Sequence, residues 1–543
     1  MVNPESYMSE PGTRSRWRRA VYTLAVFAML ACVGTSRAAE YEPQDHDSQK
    51  VAGAAALIRT GKLDEAEGRL WEVLTSHPDN AEALNLLGSI RLQQKRYAES
   101  ETLLRRAISL TPESLPAYMN LARVFHAEAD TDKEVAALLD AARLAPSDAE
   151  VNCSLAAAYL KENNYHLALG ALERIPGARR PPATLPLLAA SYLGLGRVEE
   201  ARALAPAVAA GAAKDPGLRV AFAEVLLDFN LTDDALAILE IAQKQQAPTA
   251  ELLFALGRAR ERKGELSLAQ KDFRRALELD PNSASALQAL ARILAGQGQW
   301  EKSLELLSRA RSASPNSPDV LRKFAAASLH AGHTEDAVSA AQQLVKLRPD
   351  EPDALYLLGV AQLQNQDMEE ARNTLENFAK LRPQDPLAFL ALGMVEAGLR
   401  NLPVARANFE QSIKLDPNQA EAYFQLALIF RDQGDNRAAI SLLEKEIAVD
   451  TKRASAHALL GTLYLLERDY VKAREHLMRA EELAPDSPDT HYQLGLLFAR
   501  LNQREHAQRE MDQFHKLKDK EHPGATPPGG RPVTSSPPPY PPS

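Results

Sequence analysis

The sequence predicts an all-α chain, an α-solenoid of about fourteen helix-turn-helix repeats of 34 residues. Three observations predict it. A pattern of apolar and small residues recurs in register from Asp47 to Glu521. Each copy carries two runs at helical spacing with a glycine or polar turn between them. Most copies close on a proline, which cannot continue a helix.

The stretch Ala250 to Ser283 shows the unit best. Leu253, Leu256 and Gly257 share one face of a first helix. Leu266, Ala269, Phe273 and Ala276 share one face of a second. Lys263-Gly264 makes the turn between them, because glycine ends a helix cheaply. Asp280, Pro281 and Asn282 end the second helix. Neither helix can bury its apolar stripe alone, so the pair packs antiparallel and needs its neighbours to complete a core. Gly257 and Ala269 let two backbones approach, and Ala276 lets the second helix meet the next unit. A larger side chain at such a contact costs about 1–3 kcal/mol.

Stepping by 34 keeps the register. Leu87-Gly88, Leu358-Gly359, Leu392-Gly393, Leu460-Gly461 and Leu494-Gly495 repeat the Leu-Gly pair. Ala66, Ala337, Ala371, Ala405, Ala439, Ala473 and Ala507 repeat the central alanine. Pro78, Pro112, Pro146, Pro315, Pro349, Pro383, Pro417 and Pro485 repeat the closing proline. One residue is missing between the fourth and sixth units. This pattern resembles the tetratricopeptide repeat, carried here by Leu253, Leu256, Gly257, Ala269, Phe273, Ala276 and Pro281, with Arg260 where that pattern prefers Tyr. The resemblance implies a right-handed superhelix whose first helices line a concave groove. It also implies partners that are proteins or peptides.

Composition fits a folded chain: 543 residues, 45% hydrophobic and 25% charged. A solenoid core extends in one dimension and escapes the size limit of a single globular core. The formal net charge is −9 and the pI is near 5.8, which argues against nucleic acid as a partner. Two cysteines, Cys32 and Cys153, cannot staple a fold of this size.

The ends differ from the middle. Residues 1–39 read as a signal peptide or N-terminal anchor. Basic residues from Arg14 to Arg19 precede an apolar run from Ala20 to Gly34 and the small residues up to Ala39. The run is shorter than the ~20 residues a spanning helix needs. Three readings stand: cleavage between Ala38 and Ala39, an uncleaved anchor, or lipidation at Cys32. All three place the repeats outside the cytoplasm, exported, periplasmic or secreted, or membrane-anchored there. The membrane would then be touched only through this segment. Residues 40–46 are an acidic linker. Residues 47–178 form a first subarray, and 217–521 a second, closed by the charged helix from Gln508 to Glu521, whose polar outer face suits a cap. Between them, 179–216 is an irregular Pro-rich joint holding a degenerate repeat, in which Pro206 interrupts a second helix. It reads as a hinge or as drift at a tolerant site. Residues 522–543 are a Pro-rich tail too poor in apolar residues to fold. Its Pro537 to Tyr540 resembles a WW-domain ligand.

No P-loop, GxSxG, HExxH or paired CxxC pattern occurs, so no catalytic residue, cofactor site or metal site is expected. His457 and His491 share one repeat position, but a metal site needs three or four converging ligands. At the groove positions the resemblance implies, Phe254, Tyr356, Leu390, Phe424 and Tyr492 recur at the fifth place. They read either as binding contacts or as core between first helices. Arg258, Arg262, Arg292 and Arg322 fall on the first helices of units seven to nine. They suit an acidic peptide, or else pair locally with Glu261 and Asp319. The carboxylate-clamp pattern of chaperone-tail receptors is absent: its two positions hold Asn85 with Ser89, and Phe254 with Arg258. The expected function is a non-catalytic scaffold that binds protein or peptide in its groove. The alternatives are an envelope-assembly, secretion or polysaccharide-export subunit, and an enzyme with a groove-built site. Oligomeric state is not legible.

Overall fold

Helix pairs fill the chain. The computed structural model describes residues 46–521 apart from 213, 214, 216 and 246, and no strand occurs among the described residues. Cys32, Ala38, Ala39 and the Pro-rich tail lie outside them. The described residues form two compact units, one ending at Pro281 and one starting at Asn282.

The first unit opens with His46–Arg59 and Leu63–Ser76, then Ala81–Gln93 with Tyr97–Leu110, Leu115–Ala127 with Thr131–Leu144, and Ala149–Lys161 with Tyr165–Glu173. It closes with Gly217–Asp228 and Thr232–Gln245, then Ala250–Arg262 and Leu266–Leu279. The second unit runs from Ala284–Gly296 and Trp300–Ala313 to Pro488–Arg500 and Arg504–Glu521. Prolines 318, 352, 386 and 488 stand in the first turn of their helices, where a missing N–H costs nothing. Asn80, Asp148 and Thr249 cap theirs by accepting from the backbone N–H three residues on.

One backbone feature marks every repeat. The turn between first and second helix holds a residue with positive φ. These are Gly61, Lys95, Ala129, Asn163, Gly196, Asn230, Gly264, Gly298, Gly332, Gln366, Arg400, Gly434, Arg468 and Asn502. That gives fourteen turns among the described residues, matching the expected number of units. At Gly264 the turn closes as a Schellman motif, with Glu265 N–H donating to Arg260 O at 2.9 Å.

The Leu-Gly glycine has a narrower job than close backbone approach. A Cβ on Gly257 would lie 2.5 Å from the ring of Phe273, and one on Gly393 would lie 2.5 Å from Phe409. Gly88, Gly359, Gly461 and Gly495 likewise face Leu104, Leu375, Leu477 and Met511. Each partner stands sixteen residues further on, so the glycine is the socket for the central large side chain of its own second helix. The central alanines Ala66, Ala269, Ala337, Ala371, Ala405, Ala439 and Ala473 are fully buried. Where serine replaces them, Ser100 and Ser303 donate to Gly88 O and Ala291 O, at 2.7 and 2.8 Å.

The segment 179–216 lies within the first unit. The fourth repeat's second helix has 9 residues where Leu266–Leu279 has 14. Two 3-10 turns, Gly177–Arg179 and Pro182–Thr184, follow it. The fifth repeat's second helix is split into Val198–Arg202 and Ala205–Gly211, with Pro206 in the first turn of the latter. Proline breaks the helix without unseating it: Leu187, Ala201 and Val208 stay buried in the same core as Leu155 and Phe222. No described helix is long and apolar enough to cross a membrane.

Candidate protein-interaction face

Each second helix packs on the first helix of the next repeat, and first helices of successive repeats also touch one another. Gly217–Asp228 touches Ala250–Arg262 in the first unit, and Pro318–Ala331, Pro352–Gln364, Pro386–Gly398 and Ala420–Asp432 touch in sequence in the second. A layer of first helices therefore runs along each unit, and its ninth repeat position can be located directly. Arg258 and Glu224 stand 34 residues apart, each at that position, and their side chains form an ion pair. Side chains at position nine thus stand beside one another on neighbouring helices.

The chemistry at that position changes along the chain. In the first unit it holds the alanines Ala55, Ala157 and Ala190 and the half-buried polar residues Ser89, Arg123, Glu224 and Arg258. Arg123 reaches Glu150 at 2.6 Å and Asn120 at 2.9 Å. In the second it begins with Arg292, Ala326 and Val360, and over the last four repeats it holds Met394, Leu428 and Thr462, half-buried, and Leu496, exposed. The Thr462 hydroxyl donates to Ala458 O at 2.8 Å, so it leaves no unmet polar group on the line. Tyr492, also exposed, packs its ring against Phe514.

The aromatic candidates divide. Tyr356, Leu390 and Phe424 are buried and cannot be contact residues. Position five points at the second helix of its own repeat: Tyr356 packs against Phe378 at 5.1 Å, and Leu390 shares a core with Ala405 and Phe409. Phe424 lies under the Arg453 guanidinium. Phe254 is half-buried against Phe273, and Tyr492 alone of the five is exposed.

The four arginines fall in both units. Arg258 is held by Glu224 and, at 3.5 Å, by Asp228. Arg262 lies 3.9 Å from Asp228. Burial pushes the Asp228 carboxyl up to about 6, against the pull of Arg258 and with a further push from Glu224. In the second unit Arg322 pairs with Glu351 and Arg292 is half-buried. Asp319 receives Lys323, which also donates to Gln288 at 2.9 Å. Arg258 and Arg322 are thus already neutralised, by acids that local sequence pairing did not name.

Two polar clusters escaped the sequence. Glu134 sits fully buried where other repeats have alanine, within 2.9 Å of both His126 and Lys161. Its signal was a carboxylate at a core register position. His491 is buried beside Glu481 and Glu510. His457 meets His476 instead, with Nδ1 atoms 3.2 Å apart.

This geometry is what known repeat proteins share. Models of the tetratricopeptide repeat match residues 51–115, 220–269, 262–326, 324–386, 390–448 and 424–488, more than half of the chain. The chain belongs to the tetratricopeptide-repeat family, and its fold is the α-solenoid of that family. It is 28% identical over 245 residues to Superkiller complex protein 3 of Mus musculus, which is 42% of this chain and 15% of that protein. It is 34% identical over 82 residues to Cellulose synthase operon protein C of Xanthomonas axonopodis pv. citri, 15% of this chain and 5% of that protein. The chain therefore spans a small part of either relative. Among solved structures, a tetratricopeptide repeat protein from Parabacteroides merdae aligns at 21% identity and TM-score 0.41, covering 46% of this chain and 98% of that one. The APC/C hetero-tetramer Cut9-Hcn1 aligns at 16% and 0.38, covering 90% and 99%. The family's scaffolds serve protein–protein interaction, and this chain is such a scaffold.

Proposed function

We propose that the chain is a non-catalytic scaffold that seats an apolar peptide or helix of a protein partner on the first helices of its last four repeats. We place it outside the cytoplasm. The observation that carries the binding reading is the line Met394, Leu428, Thr462 and Leu496, one side chain per repeat, joined by Tyr492. A fixed line of this kind is prepared before the partner arrives, so docking orders fewer side chains. An acidic partner gains less support, because Arg258 and Arg322 already hold Glu224, Asp228 and Glu351. The location rests on the order of basic, apolar and small residues before Ala39.

A photo-crosslinking residue at Leu428 or Leu496 in the native cell tests the face. Adducts from both, and none from Arg479 on a second helix, are expected. Equal labelling from all three discards the face. Mass spectrometry of the mature N-terminus tests the location. A soluble species starting at Ala39 supports export, and an intact cytoplasmic chain overturns it.

A second reading is a tethered subunit of an envelope-assembly or polysaccharide-export complex. The local match to Cellulose synthase operon protein C favours it. A lipid-bearing Cys32 would carry that reading further.

A further inference from the structure

The last two repeats share a cluster that neither the core nor the proposed binding line uses. Glu481 comes from the helix Tyr470–Leu483, His491 from Pro488–Arg500 and Glu510 from the cap helix Arg504–Glu521. One ligand atom from each lies within 4.8 Å of the others. His491 is 6% exposed and both carboxylates are half-buried.

The imidazole's orientation is fixed from the far side. Nε2 lies 2.9 Å from Pro485 O, and a carbonyl only accepts, so Nε2 carries the hydrogen. In the neutral ring the Nδ1 lone pair then faces Glu510 Oε2 at 2.7 Å, acceptor against acceptor. That contact needs a positive charge between the two atoms, a ring proton at this spacing or a metal ion once the side chains part. One carboxylate would need only a second ring proton. Two carboxylates converge here, a charge of −2 on one ring, which a divalent ion matches better. A ring N–H donated to a backbone carbonyl is also how metal-bound histidines are held.

We infer that Glu481, His491 and Glu510 form a binding site for a borderline divalent cation, Zn²⁺ first and Mn²⁺ second. One imidazole nitrogen with two carboxylate oxygens suits such ions. Bonds of about 2.0–2.2 Å place tetrahedral ligands about 3.4 Å apart, so side-chain shifts of about an ångström complete the geometry. Water would supply the fourth ligand. The ion would tie the cap helix to the two helices before it, which no other described cluster of this kind does.

Equilibrium dialysis of the full chain, free of any affinity tag, tests the site with Zn²⁺, Mn²⁺ and Ca²⁺. One Zn²⁺ or Mn²⁺ per chain is expected. His491→Gln and Glu510→Gln should each weaken it at least about tenfold, and His515→Gln, exposed on the same cap helix, should not. Hydrogen exchange of residues 504–521 should slow on adding Zn²⁺ and recover with EDTA. Should His491→Gln fail to fold, Glu481→Gln takes its place. Absence of stoichiometric binding, a proton alone on His491, or binding that survives both site variants overturns the inference.

Discussion

The glycine socket sets a sharp test, because the same substitution should have opposite signs at two glycines. Gly257→Ala puts a Cβ 2.5 Å from the Phe273 ring, with two more ring atoms at 2.6 and 2.9 Å. Ordinary contact needs about 3.5 Å, so the ring or the helix must yield by about 1 Å. Phe273 is fully buried, and close-packed surroundings resist that shift. Overpacking of this order costs about 1–3 kcal/mol. Alanine's higher helix propensity returns up to about 1 kcal/mol. Gly68→Ala is the control: it lies inside Leu63–Ser76 with nothing within 4 Å of a Cβ, so only the propensity gain remains. The gap between the two variants isolates the overpacking, about 1–3 kcal/mol, or roughly a 5- to 160-fold ratio in local opening. Hydrogen exchange with mass spectrometry reads it helix by helix, which suits an array whose repeats contact only neighbours. Faster exchange over 250–279 in Gly257→Ala is expected, against slower exchange over 63–76 in Gly68→Ala. Adding Phe273→Leu to Gly257→Ala should cost less than the sum of the single changes. Equal protection by both alanines would refute the socket.

Two further outcomes follow from burial. Glu446 is fully buried, with Arg453 Nε 3.2 Å from Oε1 but out of line for a hydrogen bond. Burial chiefly pushes its carboxyl up to about 8 from 4.5, with Asp450 and Glu421 adding and Arg453 opposing. The folded state therefore keeps a proton that the unfolded chain has released. Its contribution to stability is full below about 4.5 and is lost as pH rises through about 8. Urea midpoints at pH 5.5 and 8 should show that fall, Glu446→Gln should flatten it and be the more stable chain at pH 8, and an unchanged slope would reject the assignment. Tyr356→Ala should cost about 3–5 kcal/mol, as deletion of a buried aromatic does, while Tyr492→Ala costs about 1 kcal/mol. Similar losses at the two sites, measured by the same denaturation, would contradict their burial.

The register was legible because it rests on small residues that no other arrangement requires. A socket glycine, a central alanine and a closing proline kept in phase leave one architecture. What the sequence left open was direction. Position five could face a partner or form core between first helices, and the packing of Tyr356 on Phe378 shows that it turns instead to its own second helix. The acids beside Arg258 were missed because pairing was sought within one helical turn, whereas Glu224 lies a full repeat away. Opposite charges at one repeat position were the available signal. His491 and Glu510 are 19 residues apart, the spacing of His457 and His476, so comparison of repeat coordinates would have set them side by side. Glu481 joins them only because three helices converge.

The left-handed turns also say how such a chain can change length. They recur at intervals of 34, except for 33 between Asn163 and Gly196. Excising 34 residues between two turns would remove one rung and leave every later side chain facing as before. Excising 33 within continuous helix would swing everything downstream by about 100°, the rotation of one residue. The chain carries such a slip and survives it. Residues 174–184, between Tyr165–Glu173 and Leu185–Gly194, contain no α-helix to transmit the rotation, so the lost step ends there. Evolution, or an engineer, can therefore edit this array in whole rungs anywhere, and in single residues only where the helices have already let go.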